Sequence, residues 1–286
     1  MSSTRRLSIV VAVLTLLTGG CTRVVLKREV RISRQLTPGQ TIRIALQSAA
    51  LTVVGSLGNE IVVTGELRVT ASTDSEAETM LRTIHVRTRV VGSQLIVEQV
   101  GPRQSITRHA SLKLTVSLPA TRSLAIVIDT GDVDGRQLRG PCRLTTQNGR
   151  LTLASSQPTR LSIENRNGAV VLRQVSTPTA RIALTNGQLT LDRFSGSLDA
   201  RVKTGSVSGS LLALSGVGNR IRVGSGSIHL SLTSRRDLQV TATVVSGRVE
   251  SSLPSSGPPK SKALRFGKGT SRLELHAESG SIRLTP

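Results

Sequence analysis

The chain has 286 residues, of which 37% are hydrophobic but only 1% aromatic, with no tryptophan or tyrosine. Surfaces that bind single-stranded nucleic acid usually stack the bases on aromatic rings, so the composition argues against that class of function. The formal net charge of +21 attracts anions. It fits equally well with arginines scattered over a solvated surface, since no dense block of Lys and Arg occurs.

The N-terminus has the parts of a lipoprotein export signal. Arg5 and Arg6 form a positive region, and residues 7–17 form an apolar run too short to span a bilayer as a mature helix. The sequence LTGGC, ending at Cys21, resembles a bacterial lipobox, with Thr18 where leucine is usual. The alternatives are an ordinary signal peptide and an N-terminal anchor helix with a chance cysteine.

The lipobox predicts a signal peptide over 1–20 and attachment of lipid to the Cys21 thiol, which would anchor the protein in the cell envelope. Thr22 resembles an outer-membrane sorting signal of bacteria with two membranes, because it is not acidic. Residues 21–39 are then expected to be a lipid-anchored tether.

Residues 40–120 are predicted to form an irregular β region with one short helix. The alternation of apolar and polar residues favours half-buried strands in the segments TIRIAL, ALTVVG, EIVVTGELRVTA, QLIVEQV and SLKLTVSLP. The helix is expected to open at Asp74, with Met80, Leu81 and Ile84 on one face. Residues 101–110 are interpreted as a loop.

An internal repeat begins after residue 120 and continues to residue 286. Its glycines are separated by 18, 19, 19, 18, 21, 21 and 33 residues: Gly131, Gly149, Gly168, Gly187, Gly205, Gly226, Gly247 and Gly280. The positions two residues after and five residues before these glycines are apolar in every unit, and the preceding residue is always Asn, Thr or Ser.

Each repeat unit is predicted to be a strand, a turn at the glycine and a second strand. One unit cannot bury its apolar face alone, whereas stacked units can, so the repeat favours a solenoid of β rungs. In such a stack Asn148, Asn167 and Asn186 are placed to form a hydrogen-bonded ladder. A run of hairpins in a sandwich or meander is the alternative, disfavoured by the near-constant spacing.

A segment rich in Ser, Pro and Gly, 251–271, interrupts the last interval. We interpret it as a mobile basic loop, and its cations are Lys260, Lys262, Arg265 and Lys268. The final unit, 271–284, is expected to cap the stack, with Pro286 blunting its edge.

The segments SLKLTVSLP, LAIVIDTGDVDG, TTQNGRLTL, ENRNGAVVL and AESGSIRL resemble a bacterial β-strand-repeat family of unknown function, the adhesin-like or toastrack (DUF4097-like) family. The resemblance covers about residues 40–285. It implies an all-β fold of stacked rungs, of either handedness, and an envelope-associated protein. It brings no agreed catalytic residues.

Motifs that mimic chemical sites fit the repeat better. Asp129-Thr130-Gly131 resembles an aspartic-protease loop, but that chemistry needs two carboxylates and this triplet is in register with the other turns. The spacing of Asp129, Asp132 and Asp134 lacks the later glutamate of a calcium loop. Histidines and cysteines show no metal-ligand spacing, so no metal or cofactor is expected.

The sequence therefore predicts a non-catalytic, adhesin-like envelope lipoprotein that acts by binding or scaffolding. A carbohydrate-active β-helix enzyme is the alternative, weakened by the scarcity of aromatic and acidic residues. Anionic polysaccharide or lipopolysaccharide is the expected partner, and nucleic acid is not. Arg201 and Arg222, at one offset in adjacent units, and the four cations of 251–271 are the candidate anion-binding residues.

Overall fold

The computed structural model describes residues 13–14, 23–103, 109–216, 218–233 and 237–286. The chain divides into two compact units, Met1–Val133 (unit 1) and Asp134–Pro286 (unit 2). Cys21 and the predicted signal peptide lie outside the described residues, apart from the two-residue strand β1 (Val13–Leu14). Within the described ranges, no helix is long and apolar enough to cross a membrane.

Unit 1 is a β unit with one helix, α1 (Asp74–Thr83). Beyond β1 its strands are β2 (Val24–Gln35), β3 (Thr41–Ser48), β4 (Ala50–Ser56), β5 (Glu60–Ala71), β6 (His85–Val91), β7 (Gln94–Val100), β8 (Ala110–Pro119) and β9 (Leu124–Thr130). Strands β2, β5 and β8 pair antiparallel, while β4 runs parallel to β8 and β3 runs parallel to both β7 and β9. The predicted strands β3, β4, β5, β7 and β8 are all present.

The predicted tether, 21–39, is largely a strand. Strand β2 pairs antiparallel with β5 along its whole length. Its side chains alternate, and Leu26 and Val30 are buried on the inner face. The prediction of a tether missed this strand because its hydrophobic alternation is carried by only a few residues among many charged ones.

Helix α1 forms where the sequence predicts it. Thr73 caps its N-terminus by accepting a hydrogen bond from the N–H of Glu76 at 3.2 Å. Leu81 and Ile84 are buried at its other end. The guanidinium of Arg28, on β2, donates to the carbonyl oxygens of Leu81 and Ile84, which satisfies acceptors that a helix C-terminus leaves free.

Unit 2 is the repeat stack. Its strands are β10 (Val133–Arg136), β11 (Cys142–Asn148), β12 (Leu151–Ser156), β13 (Leu161–Leu214), β14 (Asn219–Leu232), β15 (Leu238–Ser251), β16 (Ser261–Arg265) and β17 (Ser271–Thr285). The long strand β13 includes several repeat units. We call each unit a rung, its glycine the rung glycine, and the strands before and after that glycine its first and second sides.

The apolar repeat positions form the core. All sixteen residues at the two fixed offsets are between 0 and 4% exposed, from Ile126 and Val133 at the end of unit 1 to Leu275 and Ile282 in the last rung. Equivalent residues of neighbouring rungs pair in parallel, as Ile221 does with Leu275. The predicted stack of rungs and the predicted phase of its strands are therefore confirmed.

The rung glycines stack directly on one another. Gly226 has a φ of +139°, and a Cβ atom there would lie 1.7 Å from the carbonyl oxygen of Gly205. Beside this column the side-chain amide of Asn167 donates to Asn148 at 2.9 Å, and that of Asn186 donates to Asn167 at 3.0 Å. The predicted asparagine ladder is thus present. Each rung turns at its glycine, where its backbone packs directly on the backbone of the neighbouring rung.

A second corner of the rungs was not predicted. The residue six positions after the rung glycine has a positive φ, between +46° and +58°, in four rungs: Gln137, Ser155, Gln174 and Arg193. This left-handed conformation is usual for Gly and Asn but uncommon for these residue types. Without glycine or asparagine at these positions, the sequence carried no signal for the corner.

The last strands do not follow chain order. Strand β17 lies between β14 and β15 and pairs in parallel with both, so the prediction that the final unit caps the stack is wrong. The interruption 251–271 provides the end instead. It supplies β16, which pairs antiparallel with β15. The buried side chains of Leu253 and Leu264 attach this segment to the core, so it is not simply a loop.

Candidate anion-binding groove

An open groove of about 1300 Å³ runs across the first sides of the rungs in unit 2. On each first side alternate residues point to the core, and the remaining ones face the groove. Its ionisable lining residues are Glu164, Arg166, Arg201, Lys203, Arg220, Arg222, Arg272, Glu274, His276 and Glu278. Cationic side chains outnumber carboxylates in this set, so the groove favours anions.

Arg201 and Arg222 are direct neighbours in this groove. They pair in parallel between β13 and β14, at four residues before their rung glycines, and both side chains are exposed. Neighbouring strands are about 4.8 Å apart. The structure therefore brings together the two arginines that the sequence placed at one offset. The residue at this offset in the preceding rung is Ala183, whose small side chain leaves space in the groove next to Arg201.

The arginines of the groove differ in how far carboxylates neutralise them. Arg220 donates two hydrogen bonds to Oε2 of Glu274, at 3.0 and 2.8 Å. Arg201 lies 3.5 Å from a carboxylate oxygen of Asp199. Arg222 forms no ion pair with any described residue.

Two residues that the sequence analysis did not single out lie beside Arg222. His276 pairs with it across β14 and β17, and its ring Nδ1 is 3.4 Å from Oγ1 of Thr243. Lys203, two residues after Arg201, also lines the groove and has no ion pair among the described residues. The repeat offsets signal both residues, since His276 shares the offset of Arg201 and Arg222, but only the unexpected position of β17 places His276 beside Arg222.

The cations of 251–271 are not brought to the two arginines, because none of them lines the groove. Arg265 pairs with the groove residue Gln239 and therefore lies on the groove side of β16. Lys262 pairs with the buried Ala242 and donates to the carbonyl oxygen of Gly257 at 2.8 Å. Lys260 and Lys268 are exposed outside β16.

The protease-like triplet is a turn of the repeat. The carboxylate of Asp129 accepts a hydrogen bond from Arg103 at 2.8 Å, and Gly131 packs on the backbone of Ala49. Cys142 is a buried core residue, and burial raises the pKa of its thiol to about 12. In the described part of the chain, no three His, Cys, Asp or Glu side chains are grouped so as to hold a metal ion.

Solved bacterial structures similar to this chain cover 90% of it at low identity. A "putative adhesin" from Bacteroides fragilis is 12% identical, is itself covered over 97% of its length and has a TM-score of 0.48. Another from Parabacteroides merdae is 10% identical, with 96% covered and a TM-score of 0.41. A "putative lipid binding protein" from Parabacteroides distasonis is 12% identical, with 97% covered and a TM-score of 0.28.

No curated protein matches the chain in sequence. The family model described as Toastrack DUF4097, in contrast, matches residues 40–285. This match spans the β region of unit 1 from β3 onwards and nearly all of the repeat stack in unit 2. The chain belongs to the Toastrack DUF4097 family.

Proposed function

We propose that this protein is an exported lipoprotein, anchored through Cys21, that acts in the cell envelope by binding or scaffolding rather than by catalysis. Its groove binds anionic envelope polymers, such as acidic polysaccharides or the phosphates of lipopolysaccharide. The observation that carries the proposal is the direct pairing of Arg201 with Arg222 on the open face of the stack.

Two guanidinium groups at rung spacing repel each other unless an anion lies between them. Asp199 offsets part of the charge of Arg201, but Arg222 has no such partner in the described chain. A carboxylate or phosphate bound between the two arginines relieves this repulsion. Arginine suits that role because its planar fork binds such groups through two parallel hydrogen bonds.

A polymer fits the groove better than a single small anion does. Cations without an ion pair among the described residues occur on several strands of the stack, namely Arg166, Lys203, Arg222 and Arg272. A chain with repeated charges contacts several of them at once, and each further contact forms within the complex already made. The lipobox-like sequence ending at Cys21 favours a ligand that occurs outside the cytoplasm.

The proposal is tested on an acidic polysaccharide column eluted with a salt gradient. We expect Arg201→Ser/Arg222→Ser to elute at clearly lower salt than the wild type. The matched control is Arg139→Ser/Arg173→Ser, which removes two exposed arginines that do not line the groove. Equal elution of both variants means diffuse basicity and contradicts a groove site.

A third variant replaces Lys260, Lys262 and Lys268 with glutamine, leaving the groove intact. Since these lysines do not line the groove, this variant is expected to elute close to the wild type. If only this variant elutes early, the polysaccharide binds at the end of the stack formed by residues 251–271 and not in the groove.

A further inference from the structure

One carboxylate in the groove has no cationic partner among the residues that the structure describes. Glu164 pairs with Arg143 at 3.0 Å, and Glu274 pairs with Arg220 at 2.8 Å. Glu278, on β17, is exposed and forms no ion pair with any described residue. A groove that served only to attract anions would not need this unpaired negative charge.

Glu278 stands opposite Lys203 with a gap between them. Each lies two residues before its rung glycine, and the residue at this offset in the intervening rung is Gly224. A Cβ atom at Gly224 would lie 2.5 Å from the carbonyl oxygen of Lys203, so the position admits no side chain without a shift. Two rung spacings, about 10 Å between backbones, leave room for a small group above Gly224.

The walls of this gap carry opposite charges. Lys203 is on one side and Glu278 is on the other, and Arg222 lies on the same strand and face as Gly224. Arg220, also on β14, is already bonded to Glu274, and Asp199 offsets part of the charge of Arg201. The charged side chains beside the gap that have no ion pair among the described residues are therefore the cations Lys203 and Arg222 and the carboxylate Glu278. A purely anionic group in the gap is attracted by the cations and repelled by Glu278.

We infer that the unit bound in this gap is zwitterionic: a phosphate or carboxylate that carries a neighbouring ammonium group. The anionic group contacts Arg222 and Lys203, and the ammonium group contacts Glu278. This inference rests on the proposed function, since it uses the same groove, and it adds a selectivity. Glu278 discriminates against ligands with negative charge alone, because specificity requires repulsion of the wrong ligand as well as attraction of the right one.

The test compares two phosphates that differ in the ammonium group, O-phosphoethanolamine and ethyl phosphate, in titrations of the full chain followed by NMR at constant ionic strength. A groove that sensed only negative charge would prefer ethyl phosphate, which has the larger net charge. We expect the wild type to bind O-phosphoethanolamine about two- to fivefold more tightly, the range for one exposed ion pair.

Glu278→Gln is expected to abolish or reverse this preference, mainly by strengthening the binding of ethyl phosphate. Glu164→Gln is the matched control, because it removes a groove carboxylate that already has a partner, and it should keep the preference. The inference is overturned if the wild type shows no preference for O-phosphoethanolamine, including no binding of either probe, or if Glu278→Gln keeps it. Any of these results is compatible with the proposed function, provided that Arg201→Ser/Arg222→Ser still elutes from the polysaccharide column at lower salt than Arg139→Ser/Arg173→Ser.

Discussion

A Cβ atom at Gly226 would lie 1.7 Å from the carbonyl oxygen of Gly205, its partner in the preceding rung. The glycine is therefore required for two reasons, its positive φ of +139° and the absence of space for any side chain. The same relation recurs between Gly168 and Gly187, so the column of rung glycines is a seam where adjacent backbones touch.

Replacing Gly226 with alanine should destabilise unit 2 by at least about 2–3 kcal/mol, because the methyl group forces both a strained backbone and separation of two rungs. The free energy of unfolding is measured in urea. Gly218→Ala is the control, since nothing lies within 4 Å of a Cβ atom there. Equal stability of the two variants would show that the rungs separate at little cost.

The repeat could be predicted from the sequence because its determinants are local. A glycine at near-constant spacing, apolar residues at two fixed offsets and a small polar residue before the glycine specify turn, core face and register at once. Once Asn148, Asn167 and Asn186 share an offset, stacking brings their amides within hydrogen-bonding distance. The arginine pair of the groove, Arg201 and Arg222, follows from the same rule.

The sequence could not reveal features that depend on distant pairing. Strand β2 is fixed by β5 and by the contact of Arg28 with helix α1 rather than by its own pattern. Strand β17 enters between β14 and β15, and no local signal encodes that order. His276 and Glu278 occupy groove-facing offsets of the repeat, but only that order places them beside Arg222 and Gly224, and they were missed as candidate site residues.

Leu189 tests the phase of the repeat in the core. Its side chain is 0% exposed, so Leu189→Asp buries a carboxylate without a partner and should cost about 3–5 kcal/mol. Gln188→Asp, at the exposed neighbouring position, is the control and should be nearly neutral. Hydrogen exchange should show adjacent rungs losing protection together in the Leu189 variant, since each rung is stabilised by its neighbours. Loss confined to one rung would contradict a cooperative stack.

Cys21 tests the proposed anchor. Cys21→Ser removes the thiol that we propose takes the lipid, so we expect an unprocessed precursor and no incorporation of labelled fatty acid. Cys142→Ser is the control, since that thiol is buried in the repeat core, and it should be labelled like the wild type. Labelling of the Cys21 variant, or none of the wild type, would rule out the lipid anchor.

Cys142 predicts a loss of stability in alkaline solution. Burial raises its pKa from 9.0 to about 12, so above pH 9 the unfolded chain releases a proton that the folded chain keeps. The free energy of unfolding should therefore be unaffected by this group below pH 9 and fall as the pH rises towards 12, by roughly 2 kcal/mol at pH 10.5.

The control variant is Cys142→Ala. It lowers the stability at every pH through lost packing, but it removes the part of the pH dependence that comes from the thiol. Because the chain has no tyrosine and its lysines are common to both proteins, the difference between their pH profiles isolates the thiol. Parallel profiles from pH 8 to 11 would mean that the thiol of Cys142 reaches solvent in the folded protein.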